Sequence, residues 1–192
     1  MASMAAFYYD CALSLAASGH LSRAEELLTQ AALLEANNPL HHNALGLCRF
    51  ALGRFEAARS SWLLGAGLTQ GNDAAAFYLR TMDEAPFRAY IRRYNSCLER
   101  AKRGRFLSAL VAILPALEAL PNAEGYNLAG LLFYRLGMRK NARAFWWKTL
   151  ELDKTNKDAL RYLAHAGVGW IPYPLERALW GVLLLAGRLK LL

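Results

Sequence analysis

Self-similarity constrains this chain more than any other feature of its sequence. Four times it sets down a glycine, an alanine five residues on, a large apolar residue four later and a small residue three after that. The instances are Gly19/Ala24/Leu28/Ala31, Gly53/Ala58/Trp62/Gly65, Gly104/Ala109/Ile113/Ala116 and Gly137/Ala142/Trp146/Thr149. Each part has a mechanical reason. A glycine can close a helix in the left-handed conformation that other residues resist. The alanine and the second small residue let two helices approach closely, and the large residue fills the space between them. Apolar spacing on both sides is helical, with no alternating strand pattern. The pattern therefore predicts an all-α chain of helix-turn-helix pairs.

The repeated residues resemble the second helix of a tetratricopeptide repeat, whose pattern runs W-x2-L-G-x2-Y, then A-x3-F, then P. The first helices follow it less evenly. Leu45-Gly46 fits the second unit, with His42 and Arg49 in place of aromatics; Tyr126, Gly130 and Phe133 fit the fourth, with Ala129 for leucine. Tyr8, Cys11-Ala12 and Leu15 stand in the first unit, while Arg93, Ser96-Cys97 and Arg100 make the third a poor match. The resemblance covers about residues 5–72 and 90–156, with a partial helix at 157–166. It implies a right-handed α-solenoid.

The turn glycines lie 34, 51 and 33 residues apart, and the middle excess is one helix with its turn, filled by residues 73–85. An offset of 84 or 85 also relates the two halves: Gly19 with Gly104, Asn43 with Asn127, Gly46 with Gly130, Trp62 with Trp146 and Leu68 with Leu152. Even the extra helix has a counterpart, since DAAAFYL resembles DALRYLA at 158–164. The expectation is a tandem duplication. Block 1 is residues 1–85, with repeats 5–38 and 39–72 plus helix 73–85. Block 2 is residues 86–192, with repeats 90–123 and 123–156, a helix at 157–166 and a C-terminal helix at 175–192. Proline disfavours helix in the residue before it, so the joint is expected near Ala85-Pro86.

In the family that the chain resembles, first helices line a concave groove that holds a partner peptide or helix. Carried over position by position, the resemblance marks Asn43, Leu47, Phe50, Asn127, Leu131 and Tyr134 in the second and fourth units. Tyr9 and Leu13 join from the first, Tyr94, Asn95 and Leu98 from the third, and Arg161, Tyr162 and His165 from the partial fifth. Asparagine can pair with an extended backbone, and tyrosine gives large contact area at small entropy cost. Some relatives clamp a C-terminal carboxylate with lysine, asparagine and arginine. Here Tyr9, Leu13, Leu40 and Ala44 occupy several of those places, so that clamp is not matched.

Charge offers a second reading. The chain carries a net +8, and between Arg80 and Arg105 eight basic residues face Asp83, Glu84 and Glu99, a local net of +5. Arg88, Arg92, Arg93, Lys102 and Arg103 thus form a candidate basic patch, either a solvated helix face or a surface for a polyanion such as RNA. A base-reading pair of polar residues does not recur from unit to unit, which argues against nucleic acid.

The C-terminal stretch from residue 168 breaks the repeat. Its uncharged run, 178–187, is half the roughly 20 residues a membrane span requires. Three readings stay open: a cap on the solenoid, a dimer or partner-helix interface, and a membrane-surface anchor, with Trp180, Leu183 and Leu184 as the contact residues. The first residues carry Asp10 in their apolar run and no basic leader, so they are read as a helix rather than a secretory signal. Cys11, Cys48 and Cys97 fall in no ligand spacing, which fits a reducing cytoplasm. No phosphate loop, nucleophile elbow or paired Cys/His site is present, and His20, His41, His42 and His165 are scattered. Carboxylates such as Glu25, Glu26 and Glu56 are expected on exposed helix faces. The sequence therefore predicts a non-enzymatic adaptor or scaffold for a protein partner, with no cofactor and no metal.

Overall fold

The structure, a computed structural model, describes residues 3–70 and 74–166. Among the described residues the secondary structure is entirely helical. In chain order the helices are α1 (Met4–Ala17), α2 (Leu21–Leu34), α3 (Pro39–Leu52), α4 (Phe55–Leu68), α5 (Ala74–Asp83), α6 (Ala85–Lys102), α7 (Phe106–Ala119), α8 (Ala123–Arg135), α9 (Arg139–Leu152) and α10 (Lys157–His165). The pairs α1/α2, α3/α4, α6/α7 and α8/α9 are the four repeats, and α5 and α10 stand alone. The all-α repeat solenoid implied by the resemblance is the fold that the chain adopts. The expected C-terminal helix, with Trp180, Leu183 and Leu184, lies outside the described residues.

Two kinds of helix start alternate along the chain. Among the first helices, α1, α3 and α8 begin on a side-chain cap from Ser3, Asn38 or Asn122, and the lone α10 begins on Asn156. Each side-chain oxygen accepts an N–H of the first turn that would otherwise lack a partner. Second helices begin without such caps and directly follow the turn glycines. Gly19, Gly53, Gly104 and Gly137 all adopt positive φ, between 72° and 92°. In the second repeat the Gly53 N–H donates to the Phe50 carbonyl and the Arg54 N–H to the Arg49 carbonyl, a pair of bonds repeated at the other three turns. These satisfy the last carbonyls of one helix while aiming the chain into the next. The break between α5 and α6 falls at Glu84, in extended conformation, one residue earlier than Pro86 suggested. Ala85 is already helical, with Pro86 in the first turn, where its missing N–H costs nothing.

Every repeated alanine, large residue and small residue identified in the sequence is buried. The tightest contacts belong to the tryptophans. Trp62 lies on Gly46 and Trp146 on Gly130 so closely that a Cβ on either glycine would collide with the indole. Around these contacts runs a main core from α4 to α10, with a second core of Ala12, Ala24, Leu28, Leu45 and Cys48 between α1, α2 and α3.

The last repeat returns to the first. Asp153, fully buried after α9, accepts from the Ser22 N–H at 3.1 Å and the Ser22 hydroxyl at 2.5 Å, and also from Thr155 and Asn156. Lys154 donates its N–H to the Gly19 carbonyl and its ammonium to the Ser18 carbonyl, both at 2.8 Å. One turn along the same edge, Arg54 bridges Glu124 of α8, at 3.1 Å, and Glu25 of α2. Glu25 is buried rather than exposed as the sequence suggested, because Arg49 and Arg54 both neutralise it.

Burial pushes the Cys48 and Cys97 thiols up to about 11, helped at Cys48 by the nearby Glu25 and Asp153 carboxylates. Unfolded thiols ionise near about 8.5, so over this window the unfolded chain releases protons first and native stability falls as pH rises.

Four outcomes follow from this packing. Gly46→Ala and Gly130→Ala should each cost roughly 1–3 kcal/mol in chemical denaturation, the usual effect of overpacking. Asp153→Ala should cost about 3 kcal/mol and Ser22→Ala about 1, with the double mutant costing less than the sum in a denaturant cycle. At pH 8 a thiol reagent should modify half-exposed Cys11 in the native protein and reach Cys48 and Cys97 only after unfolding. Denaturant midpoints should fall between about pH 9 and 11.

Candidate partner-binding surface

The offset relating the two halves is also written in their aromatic contacts. Trp62 of α4 sits between Phe50 of α3, at 5.7 Å, and Tyr78 of α5, at 5.0 Å. Trp146 of α9 sits between Tyr134 of α8, at 5.9 Å, and Tyr162 of α10, at 5.3 Å. The lone helices α5 and α10 thus do the same work: each places a tyrosine against the tryptophan of the pair before it. Over the first stack, α6 adds Phe87, 5.8 Å from Phe50. Over the second, the corresponding chain lies beyond Ala166, outside the described residues, and Tyr134 is 39% exposed.

The structure sorts the expected groove residues into three groups. Leu13, Leu47 and Tyr134 are exposed on first helices, as is Asn95, and His165 is exposed on the lone α10. Tyr9, Asn43, Phe50, Tyr94, Leu98, Leu131 and Tyr162 are half-buried. Tyr9 packs on the His41 ring at 5.2 Å and Tyr94 on Tyr90 at 6.0 Å, and burial raises the Tyr94 hydroxyl to about 12. Asn127 is the departure from expectation. It is buried, and its amide donates to Asn156 Oδ1 at 3.0 Å, the oxygen that also caps α10. That group is committed within the chain, so Asn127 does not match Asn43 as a paired ligand of a peptide backbone. Arg161 is exposed, pairs with Asp158 at 3.0 Å and lies over the Tyr162 ring.

The basic residues divide as well. Lys102 and Arg103 share Glu99, at 3.3 and 3.8 Å. Among the described residues no carboxylate lies within ion-pair distance of Arg88, Arg92 or Arg93, all exposed on α6.

Two features were missed in the sequence. The first is an apolar cavity of about 170 Å³ between α7, α8 and α9, lined chiefly by Leu117, Tyr126, Phe133 and Phe145. Lys148 stands at its rim, its ammonium 4.8 Å from the Phe145 ring centre, and burial raises the Tyr126 hydroxyl above its ordinary range. The second is the work done by two arginines where the family pattern has an aromatic residue. Arg49 donates to the Ala57 carbonyl at 3.4 Å and Arg100 to the Ser108 carbonyl at 3.0 Å, each eight residues on. In both repeats a guanidinium thus ties the first helix to the second.

No family model matches the chain, and no curated protein does. Among solved structures it is similar to the P58(IPK) TPR domain, at 16% identity and a TM-score of 0.45, over 85% of this chain and 55% of that one. It therefore spans little more than half the length of that domain. It is also similar to MamA 41-end from Desulfovibrio magneticus RS-1, at 17% identity and a TM-score of 0.39, over 98% of this chain and 97% of that one. The MamA RS-1 ArsTM double mutant gives 16% identity and a TM-score of 0.40, over 99% and 98%.

Proposed function

We propose that this chain is a non-enzymatic protein-interaction scaffold of the cytoplasm that holds a partner peptide or helix against its first helices. The observation that carries this reading is the exposure of apolar side chains on those helices where the core does not use them. Leu13 is 43% exposed and Leu47 44%, each on a helix whose other face is buried. Large apolar and aromatic groups held on rigid helices are the usual anchors of a protein interface, since little entropy is lost when they are covered. Asn43, one turn before Leu47 on α3, supplies a polar group beside it. Free cysteines at positions 11, 48 and 97 support a reducing compartment, and no described helix is long and apolar enough to cross a membrane.

Leu13→Ala combined with Leu47→Ala removes two anchors at exposed positions, which leaves the buried core residues untouched. Partner capture from native lysate should drop by roughly tenfold or more against wild type, while Leu64→Ala, on the outer face of α4, should leave it unchanged. Equal capture by the double variant and wild type would discard the reading.

A further inference from the structure

A helical pair in a solenoid ordinarily buries its leading edge against the second helix of the pair before it. In this chain α2 packs on α3 and α7 on α8 in that way, but the α6/α7 pair meets the helices before it only sparsely. Contact between α5 and α6 is sparse, and α4 meets α6 through Phe55, which packs on Phe87 and Tyr90 at the start of α6. Few other contacts join α4 to α6, so α4 leaves most of the edge of the pair uncovered. A groove of about 450 Å³ runs along it, with Arg92, Arg93 and Arg100 on the α6 wall, Ser96 between them, and Val111 and Pro115 on the α7 wall.

The two walls differ in chemistry. On α6, Arg92 and Arg93 are exposed and meet no carboxylate among the described residues, so their charge is unneutralised. On α7, Leu107, Val111 and Pro115 recur every four residues and form an apolar ridge; Leu107 is 65% exposed and Val111 67%. Pro115 has no N–H, so the Val111 carbonyl one turn earlier receives no helical hydrogen bond from it. Arg92 to Arg100 and Leu107 to Pro115 each span roughly 12 Å, two to three helical turns.

Neither the C-terminal stretch nor a second copy of the chain has the charge to suit the groove. Residues 175–192 carry Arg177, Arg188 and Lys190 against Glu176, and a second copy brings a net charge of +8. Both are repelled by the arginine wall. A single-stranded nucleic acid would find guanidinium groups for its phosphates but no aromatic ring among the groove's lining residues on which to stack a base. It would also leave the α7 ridge in water.

We infer that the α6/α7 groove docks an acidic amphipathic helix of a partner protein. The apolar stripe of that helix covers Leu107, Val111 and Pro115, and its carboxylates meet Arg92 and Arg93. The groove does not include Leu13 or Leu47, and the substitutions that test the two readings do not overlap.

The test measures fluorescence anisotropy of the full chain with three probes. One is a synthetic Glu/Leu helix of about three turns. The others are a scrambled peptide of the same composition and an oligouridylate of equal charge. The amphipathic peptide should bind roughly tenfold more tightly than either control, and more weakly as salt rises. Arg92→Glu with Arg93→Glu should weaken it roughly tenfold, as should Val111→Ser on its own. A lysine-for-glutamate version of the peptide should bind the charge-reversed protein and not the wild type, which separates lost complementarity from lost folding. Absence of peptide binding, equal binding of the scrambled peptide, tighter binding of oligouridylate, or an unchanged affinity in Val111→Ser would each overturn the inference.

Discussion

Two helices approach only as closely as the smallest residues between them allow, and this chain depends on that limit twice over. At Gly46 and again at Gly130 a tryptophan from the second helix lies directly on the backbone of the first. The indole then reaches far enough to present its other side to the next helix, where Tyr78 or Tyr162 packs on it. Remove the close approach and the tryptophan must shift outward, taking with it the surface on which α5 or α10 rests. The contact inside a pair and the stacking between pairs are therefore one constraint. Trp62 is fixed further by its N–H, which donates to the Asn43 carbonyl at 3.2 Å.

Charge does the next share of the work. Glu25 is buried, and an unpaired carboxylate there would be costly. Arg49 meets it from α3, at 3.0 Å, and Arg54 from the turn that follows. Arg54 in turn reaches Glu124, so one carboxylate on α2 is coupled to α8 through a single guanidinium. Arg49 also holds the Ser61 hydroxyl at 2.7 Å, so the same group closes its own helical pair. A buried pair of this kind contributes little net stability but penalises any arrangement that leaves one partner alone. It specifies which elements meet.

What the sequence disclosed and what it withheld divide along the range of the interaction. Turn glycines, packing alanines and the large residues between them are local features with a fixed spacing, and all of them lie where the repeat places them. That the helix at 73–85 has a counterpart near 157–166 was legible for the same reason, although the matched segments set Phe77 rather than Tyr78 against Tyr162. Contacts between distant repeats leave no such trace. Nothing near Ser22 announces Asp153, 131 residues away, and Glu25 resembles any helix carboxylate until the arginines from α3 and the following turn arrive. Asn127 was misread because its partner, Asn156, caps a helix that belongs to no complete repeat. Arg49 and Arg100 did carry a signal. They depart from the aromatic of the family pattern at the same place in two repeats, a substitution that needs a reason and has one in the carbonyls of Ala57 and Ser108.

The single excess in the repeat spacing accounts for both unusual features of the architecture. Where an unbroken solenoid would place α6/α7 against α4, the chain first lays down α5, which occupies the stacking surface of Trp62. The following pairs must continue from a displaced start. From there α8 and the end of α9 come round to the first two repeats, where Arg54 can reach Glu124 and Ser22 can reach Asp153. The same displacement leaves the leading edge of α6/α7 without a second helix to cover it. Closing the ends and opening that edge are thus two consequences of one inserted helix. The closure holds the open edge in a fixed frame, because α8, which packs on α7, is itself tied to α3 and to the following turn. An apolar ridge held so rigidly loses little entropy on being covered, which is the condition under which a small surface can still select its partner.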